Sequence, residues 1–159
     1  MAAAVMAITI LLLVGVDQLT KYLVLQHLVP GDPMVVIPHV LQFRYLQNTG
    51  AAFSMLSGKT LALTILTSVI LVVLLVFLFR DKFSSKLAKT GAILIFAGGC
   101  GNLIDRVFRH YVVDFMEFLF TDFAVFNFAD CCVTIGAALL IIALFVDMGQ
   151  DSRKAKQER

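Results

Sequence analysis

The sequence predicts an all-α integral membrane protein with four transmembrane helices, on two observations. Hydrophobic residues make up 60% of the 159 residues and charged residues 15%, against roughly 45–50% and 25% in soluble domains. Four mostly apolar stretches also approach the roughly 20 residues that cross a bilayer core. They lie at about residues 2–25, 60–79, 87–104 and 128–146. The composition excludes a conventional soluble enzyme and a disordered chain, and we predict one membrane domain over residues 1–159.

The four stretches differ in how clearly they indicate a span. The stretch 60–79 contains no charged residue and is the clearest. The first stretch carries Asp17 and Lys21 but has neither a basic leader nor a small-residue cleavage site, so we interpret it as a retained helix rather than a cleaved leader. The third ends in glycines within 98–101, which are typical of close packing between membrane helices. The fourth begins near Asp130.

The basic residues fall mainly on one side of the predicted membrane. The loop 80–89 and the tail 147–159 together hold eight Lys or Arg residues, whereas the segments 26–59 and 105–127 hold four. The positive-inside rule therefore predicts that both termini and the loop are cytoplasmic and that the two longer segments face outward. With no organelle signal, this arrangement indicates a bacterial inner membrane. The net charge of +2 gives no indication of nucleic-acid binding.

The two outward segments carry signals of local structure. Residues 41–45 alternate apolar and polar side chains, which indicates an amphipathic strand. The Pro-Gly-Asp-Pro sequence at 30–33 is a turn signal. Apolar residues are interleaved through 107–126, which favours a short element lying in the membrane interface.

Ionisable and amide side chains gather at the predicted outward end of the bundle. A charge at the bilayer centre costs about 2.5–3.5 kcal/mol, so polar residues within or beside spans are candidates for function. The clustered residues are Asp17, Lys21, Asn102, Asp105, Arg106, Asp114, Asn127 and Asp130. We therefore expect any chemistry to lie near the outward face.

Several of these residues have a structural alternative. Asp17 and Lys21 are four residues apart on one helical face and also fit a simple ion pair. Asn127 fits an N-cap for the fourth span, and Arg106 fits an anchor at the lipid headgroups. The three histidines and three cysteines lack the spacing of metal ligands or of a CxxC pair, so no metal site is predicted.

Asp114 and Asp130 are the strongest catalytic candidates. Each lies in an apolar context, and they are 16 residues apart. Two carboxylates that share a site do not both ionise easily, so they hold one proton between them. One can then act as general base on a water while the other acts as general acid on a carbonyl. The sequence has no set typical of a Ser-His-Asp triad and no HExxH motif, so the pattern favours hydrolysis by paired carboxylates.

Four motifs extend this interpretation to a family. They are DQLTK at 17–21, NTGAAF at 48–53, GNLIDR at 101–106, and VDF at 113–115 with FNFAD at 126–130. Their order and separation resemble those of lipoprotein signal peptidase, also called signal peptidase II. The resemblance covers essentially the whole chain.

The resemblance implies an aspartyl endopeptidase of the bacterial inner membrane. Such an enzyme removes the signal peptide from prolipoproteins that carry a diacylglyceryl group, without a metal or other cofactor, and its partners are that substrate and membrane lipids. Asp114 and Asp130 would be the catalytic pair. The implied supporting or substrate-binding residues are Asp17, Lys21, Asn48, Gly50, Asn102, Arg106 and Asn127. A small outward-facing β-cradle is implied at about 30–57, and a short interfacial helix at about 107–120.

Two other classes compete with this reading. An intramembrane protease of the GxGD kind needs an aspartate where Asn102 follows the glycines, so that motif fails. A small proton-coupled membrane transporter stays open as the alternative function. Transporters often place polar residues near the midplane and have repeated halves, whereas this chain has its polar residues at one end and no visible repeat.

Overall fold

The computed structural model describes residues 2–28, 32–50, 58–83 and 85–157. The elements in chain order are α1 (Ala2–His27), β1 (Met34–Ile37), β2 (Leu41–Asn48), α2 (Thr60–Phe79), α3 (Lys86–Phe108), β3 (Val112–Phe118) and α4 (Phe128–Gln157). All four helices are long and apolar enough to cross a membrane. The predicted architecture of four transmembrane helices with a small sheet is therefore confirmed.

Three of the four helices extend beyond the apolar stretches that predicted them. α2 begins and ends at the predicted residues, whereas α1, α3 and α4 continue beyond the apolar stretches. α3 runs to Phe108 because the polar residues in its last turns find partners inside the protein, as Asn102 and Asp105 do. Hydropathy marks contact with lipid, and a helix with internally satisfied polar groups continues past that boundary.

The helices pack around α3, which contacts the other three. α3 and α4 approach each other closely, since a Cβ on Gly91 would lie 2.6 Å from the Gly136 carbonyl oxygen and a Cβ on Gly136 would lie 2.6 Å from the Gly91 carbonyl oxygen. Gly98 faces the Ala129 carbonyl, again without room for a Cβ. Small residues therefore let these two backbones meet, as expected where lipid gives helices no hydrophobic reason to associate.

We expect Gly91→Ala to destabilise the bundle by about 1–3 kcal/mol, because the added methyl meets a backbone carbonyl that cannot rotate away. Gly15→Ala is the matched control, since a Cβ there meets nothing within 4 Å and alanine favours helix by about 0.5–1 kcal/mol. Thermal unfolding in detergent should show a lower midpoint for Gly91→Ala only. Equal midpoints for the two variants would show that the α3–α4 contact is not tight.

The outward segments form one antiparallel sheet in the order β1-β2-β3. The implied β-cradle is present as this sheet, with β1 and β2 inside the expected 30–57. Two parts of the expected 30–57 fall outside the described residues. They are the first half of the predicted turn at 30–33 and the whole of 51–57. The sheet positions the site because β3 runs beside β2 with Asp114 paired to Leu46.

The expectation of a short interfacial helix at about 107–120 is wrong. This stretch contains the end of α3 and then β3, and the described residues between α3 and α4 form no further helix. The physical reason is that Val112, Val113 and Phe115 favour strand and complete the hydrogen bonding of β2. All of Val112–Phe115 is buried, so the stretch lacks the alternation by which a half-exposed strand is recognised.

Candidate active site

The structure brings the two predicted catalytic aspartates to one cavity. Asp114 lies near the middle of β3, and Asp130 lies in the first turn of α4. Two asparagine amides join them. Asn127 Nδ2 donates to Asp114 Oδ1 at 2.6 Å and to Asn102 Oδ1 at 3.1 Å, and Asn102 Nδ2 donates to Asp130 Oδ1 at 2.8 Å. Asn48 Nδ2 reaches the other oxygen of Asp114 at 2.8 Å.

The start of α4 fixes the Asp130 carboxylate. The Asn127 side-chain oxygen accepts the Asp130 backbone N–H at 3.0 Å, and Asp130 Oδ2 accepts the Asn127 N–H at 3.0 Å. This reciprocal pair has the pattern of a capping box. The N-cap alternative for Asn127 is therefore confirmed, and the same side chain also contacts Asp114. Asp130 lies in the first turn of α4, at the positive end of the helix dipole.

A buried lysine lies behind the two asparagines. Lys21 is fully buried and its Nζ lies 3.0 Å from Asp17 Oδ2, 3.0 Å from Asp105 Oδ2 and 2.8 Å from Asn102 Oδ1. An ammonium group only donates hydrogen bonds, so Lys21 holds the Asn102 oxygen toward itself and turns the Asn102 NH₂ group toward Asp130. The predicted Asp17–Lys21 ion pair is present, and its contacts extend to the site.

The two carboxylates paired with Lys21 anchor neighbouring elements. Asp17 Oδ1 accepts the Ala129 N–H at 3.0 Å, which ties α1 to the start of α4. Asp105 Oδ2 accepts the Val113 N–H at 3.1 Å, which ties α3 to β3, and its other oxygen pairs with Arg109. Each carboxylate therefore positions the element that carries one of the catalytic candidates.

The predicted supporting residues all join this network. Arg106 Nη2 donates to the Gly50 carbonyl at 3.1 Å, and the Gly50 N–H donates to Asn48 Oδ1 at 2.8 Å. Arg106 Nε finds no hydrogen-bond partner among the described residues. Asp17, Lys21, Asn102 and Asn127 are connected as given above. Sequence reasoning placed Asp105 in the polar cluster but missed its contacts, and it missed Arg109 and Gln18 as site residues.

Gln18 was missed because its contacts span distant parts of the chain. Its side-chain amide donates to Asp17 and to the Gly101 carbonyl, both at 3.1 Å, and lies 3.4 Å from Asp105 Oδ1. The one available signal was its place inside the DQLTK motif at 17–21.

The site opens into a cavity of about 790 Å³, within the roughly 300–1,000 Å³ typical of ligand pockets. Its lining includes both aspartates together with Arg44, Arg106 and Asp122. The rest is mainly apolar, and its walls include Phe118, Phe123, Val133 and Ile135. Such a cavity can hold an apolar chain beside a pair of carboxylates. Among the described residues, no three His, Cys, Asp or Glu side chains are grouped as metal ligands.

Burial is the main electrostatic influence on Asp114. It raises the pKa of this carboxyl to about 7, and the charge of Asp130 acts in the same direction. Hydrogen bonds from Asn48 and Asn127 and the charge of Lys21 limit the rise. Asp114 therefore gains or loses a proton near neutral pH, as a general acid or base must.

The fold and the site define a multi-pass membrane protein with the paired carboxylates of an aspartic peptidase. The family model for signal peptidase (SPase) II matches residues 9–146. A lipoprotein signal peptidase of Streptococcus pneumoniae is 40% identical over 141 residues, which cover 89% of this chain and 92% of that protein. A lipoprotein signal peptidase of Staphylococcus aureus is 41% identical over 140 residues, covering 87% and 86%.

A solved structure agrees. A bacterial membrane enzyme determined by the in meso method at 2.3 Å resolution matches with a TM-score of 0.87 and 38% identity, over 92% of this chain and 91% of the other. The chain belongs to the signal peptidase II family. It is a peptidase and a multi-pass bacterial membrane protein.

Proposed function

We propose that this chain removes the signal peptide from bacterial prolipoproteins that carry a diacylglyceryl group, with Asp114 and Asp130 as the catalytic residues. The observation that supports the proposal is the hydrogen-bond network that holds both carboxylates at the wall of one cavity. The relatives named lipoprotein signal peptidase support the substrate class. No metal or organic cofactor takes part in the proposed reaction.

The proposed chemistry needs one water and one shared proton. The ionised carboxylate takes a proton from the water while the water oxygen attacks the scissile carbonyl carbon. The protonated carboxyl gives its proton to the carbonyl oxygen. The first carboxyl then protonates the leaving nitrogen as the C–N bond breaks. One hydroxyl of the tetrahedral intermediate returns its proton to the second carboxylate, which gives the carboxylic acid product and restores the shared proton. Asn48 and Asn127 orient Asp114, and Asn102 orients Asp130. Arg106 lines the cavity and contacts the substrate backbone.

The proposed orientation places the site at the outer face of the inner membrane. The loop 80–89 joins the ends of α2 and α3 that lie opposite the sheet, and it carries four basic residues and one acidic residue. The positive-inside rule then places this loop and both termini in the cytoplasm. The acyl chains of the substrate stay in the bilayer, and its apolar signal helix lies along the apolar cavity walls.

The test is cleavage of a purified prolipoprotein with and without diacylglyceryl on its cysteine, followed by gel shift. We expect cleavage of the lipidated form only. Equal cleavage of both forms would contradict the lipid requirement. No cleavage of either form by folded protein would contradict the function, and proton flux in liposomes would then test the transporter alternative.

We expect kcat/KM to be steady below about pH 7 and to fall by about tenfold per pH unit above it. The reason is that burial raises the pKa of Asp114 to about 7, and the pair loses its shared proton above that pH. The measurement is kcat/KM from pH 5.5 to 9, with circular dichroism at each pH. Asp122→Asn is the control, because Asp122 lines the same cavity, and its profile should keep the same midpoint. A rate that is steady to pH 9 would contradict a shared proton.

A further inference from the structure

A second cavity lies at the other end of the molecule, on the outer surface of the bundle between α2 and α3. Its volume is about 420 Å³, and all the residues that line it are apolar. We call this cavity the groove. One of its walls is formed by α2 residues between Val69 and Phe77, and the rest of its lining is Phe83 and Ile95. Phe83 packs on a buried cluster that includes Leu78 and Ala92, so the floor of the groove is fixed by the core.

The open end of the groove carries positive charge. Arg80, Lys82 and Lys86 are exposed there. Asp81, the one acidic residue of 80–89, is paired with Lys89 at 2.6 Å. No ion pair connects the other three cations to any residue in the described part of the chain. The segment has a net charge of +3 next to an apolar groove.

Backbone hydrogen bonds hold these cations close to the groove. The Lys82 N–H donates to the carbonyl of Phe77, a groove residue, at 3.2 Å, and the Arg80 N–H donates to Val76 at 3.0 Å. Lys86 begins α3 directly after the loop. The backbones of Arg80 and Lys82 are therefore fixed at the end of α2, the helix that forms one wall of the groove. Their long side chains can reach from there to the end of the groove.

We propose that this groove binds an anionic phospholipid, with one acyl chain along α2 and α3 and its phosphate at Arg80, Lys82 and Lys86. An acyl chain gains little hydrophobic energy by leaving bulk lipid for an apolar groove, so selectivity must come from the headgroup. Basic residues beside a membrane attract anionic lipid by on the order of fivefold each. This site is separate from the aspartate pair, and with the proposed orientation the lipid belongs to the inner leaflet.

The chain contains no tryptophan, so one introduced tryptophan reports on lipid at a chosen position. Phe77→Trp places it in the groove. Phe145→Trp is the matched control, because Phe145 is an exposed phenylalanine of α4 (68%, against 50% for Phe77) and its nearest charged neighbour in sequence is the acidic Asp147. Both proteins are reconstituted in phosphatidylcholine with an equal small fraction of brominated phosphatidylglycerol or brominated phosphatidylcholine.

We expect brominated phosphatidylglycerol to quench Phe77→Trp at least about fivefold more effectively than brominated phosphatidylcholine. We expect a clearly smaller preference at Phe145→Trp, because the basic residues of the tail begin only at Arg153. Adding Arg80→Gln, Lys82→Gln and Lys86→Gln to Phe77→Trp should remove the preference. Equal preference at both tryptophans, or a preference that survives the three substitutions, would overturn the proposal.

A measurement on the unmodified chain covers the case in which a variant does not fold. Phospholipid retained after detergent exchange is quantified by class in the wild type. We expect anionic lipid to be retained in preference to neutral lipid at about one molecule per chain. Retention of neither class, or of both in the proportions of the source membrane, would also overturn the proposal.

Discussion

Asp114→Asn should lower cleavage of the lipidated substrate by about a thousandfold or more while leaving the fold intact. General acid–base catalysis contributes roughly 10²–10⁴-fold, and the variant can neither accept nor release the shared proton. Asparagine matches the size and charge of protonated Asp114. Both oxygens of Asp114 accept hydrogen bonds, from Asn48 and from Asn127, and the amide can keep only one of them. We therefore expect a small loss of stability in a folded protein, with the loss of activity in kcat.

Stability gives this variant a second readout. Because burial raises the pKa of Asp114 to about 7 from the ordinary 3.8, protonated Asp114 contributes stability that is fully present below about pH 4. That contribution is lost as the pH rises through about 7. The unfolding midpoint of the wild type should therefore fall over this range relative to that of Asp114→Asn. Activity within about tenfold of the wild type, in folded protein, would exclude Asp114 as a catalytic residue.

Asp130→Asn should be equally inactive but less stable. Both oxygens of Asp130 accept hydrogen bonds, one from Asn102 and one from the backbone of Asn127, and an amide replaces one acceptor with a donor. The α4 cap is weakened as a result. A difference in stability between the two inactive variants would distinguish the capping role of Asp130 from the burial of Asp114.

Lys21→Met should give the largest loss of stability. Lys21 is fully buried between Asp17 and Asp105, and removing one partner of a buried ion pair costs about 3–5 kcal/mol because the other charge stays buried. Asp105 still forms its ion pair with Arg109 in this variant. The buried charge left without a cationic partner is therefore mainly that of Asp17. Thermal unfolding in detergent measures the effect.

Lys89→Met is the matched control for this substitution. Lys89 also pairs with an aspartate, but Asp81 is 69% exposed, and exposed pairs contribute about 0–1 kcal/mol. Adding Asp17→Asn to Lys21→Met should restore part of the stability. The remaining folded Lys21→Met should also cleave more slowly, because the Asn102 oxygen then accepts a hydrogen bond from Asn127 alone and the Asn102 side chain is held less firmly in place. Equal midpoints for Lys21→Met and Lys89→Met would contradict the buried network.

The spans and the polar cluster could be predicted because each depends on local sequence. An uninterrupted apolar run such as 60–79 must be buried, either in lipid or in a protein core. A charged residue such as Asp17 within an apolar run must find a partner inside the protein. The third strand could not be predicted in this way. Its burial on both faces removes the alternation of a half-exposed strand, and its pairing with β2 joins residues about 70 positions apart, such as Asn48 and Val112.

The details of the site needed tertiary information for the same reason. Gln18 contacts Asp105, 87 residues away, at 3.4 Å, and no local pattern specifies that contact. Asp105 shows the limit more clearly. Its charge placed it in the polar cluster, but only the structure shows that it accepts the backbone N–H at the start of β3.

The seam of small residues between α3 and α4 has a consequence for the membrane itself. In the described chain, the buried polar and charged side chains all lie around the aspartate pair. In the other half of α3, the buried residues include Ala88, Gly91, Ala92 and Ala97. Where these backbones are in direct contact, the described residues between Gly91 and Ala97 place no ionisable side chain along which a proton could hop. If the site works as proposed, this seam separates its ionisable groups from the opposite face of the membrane and so limits the leak of protons along α3 and α4.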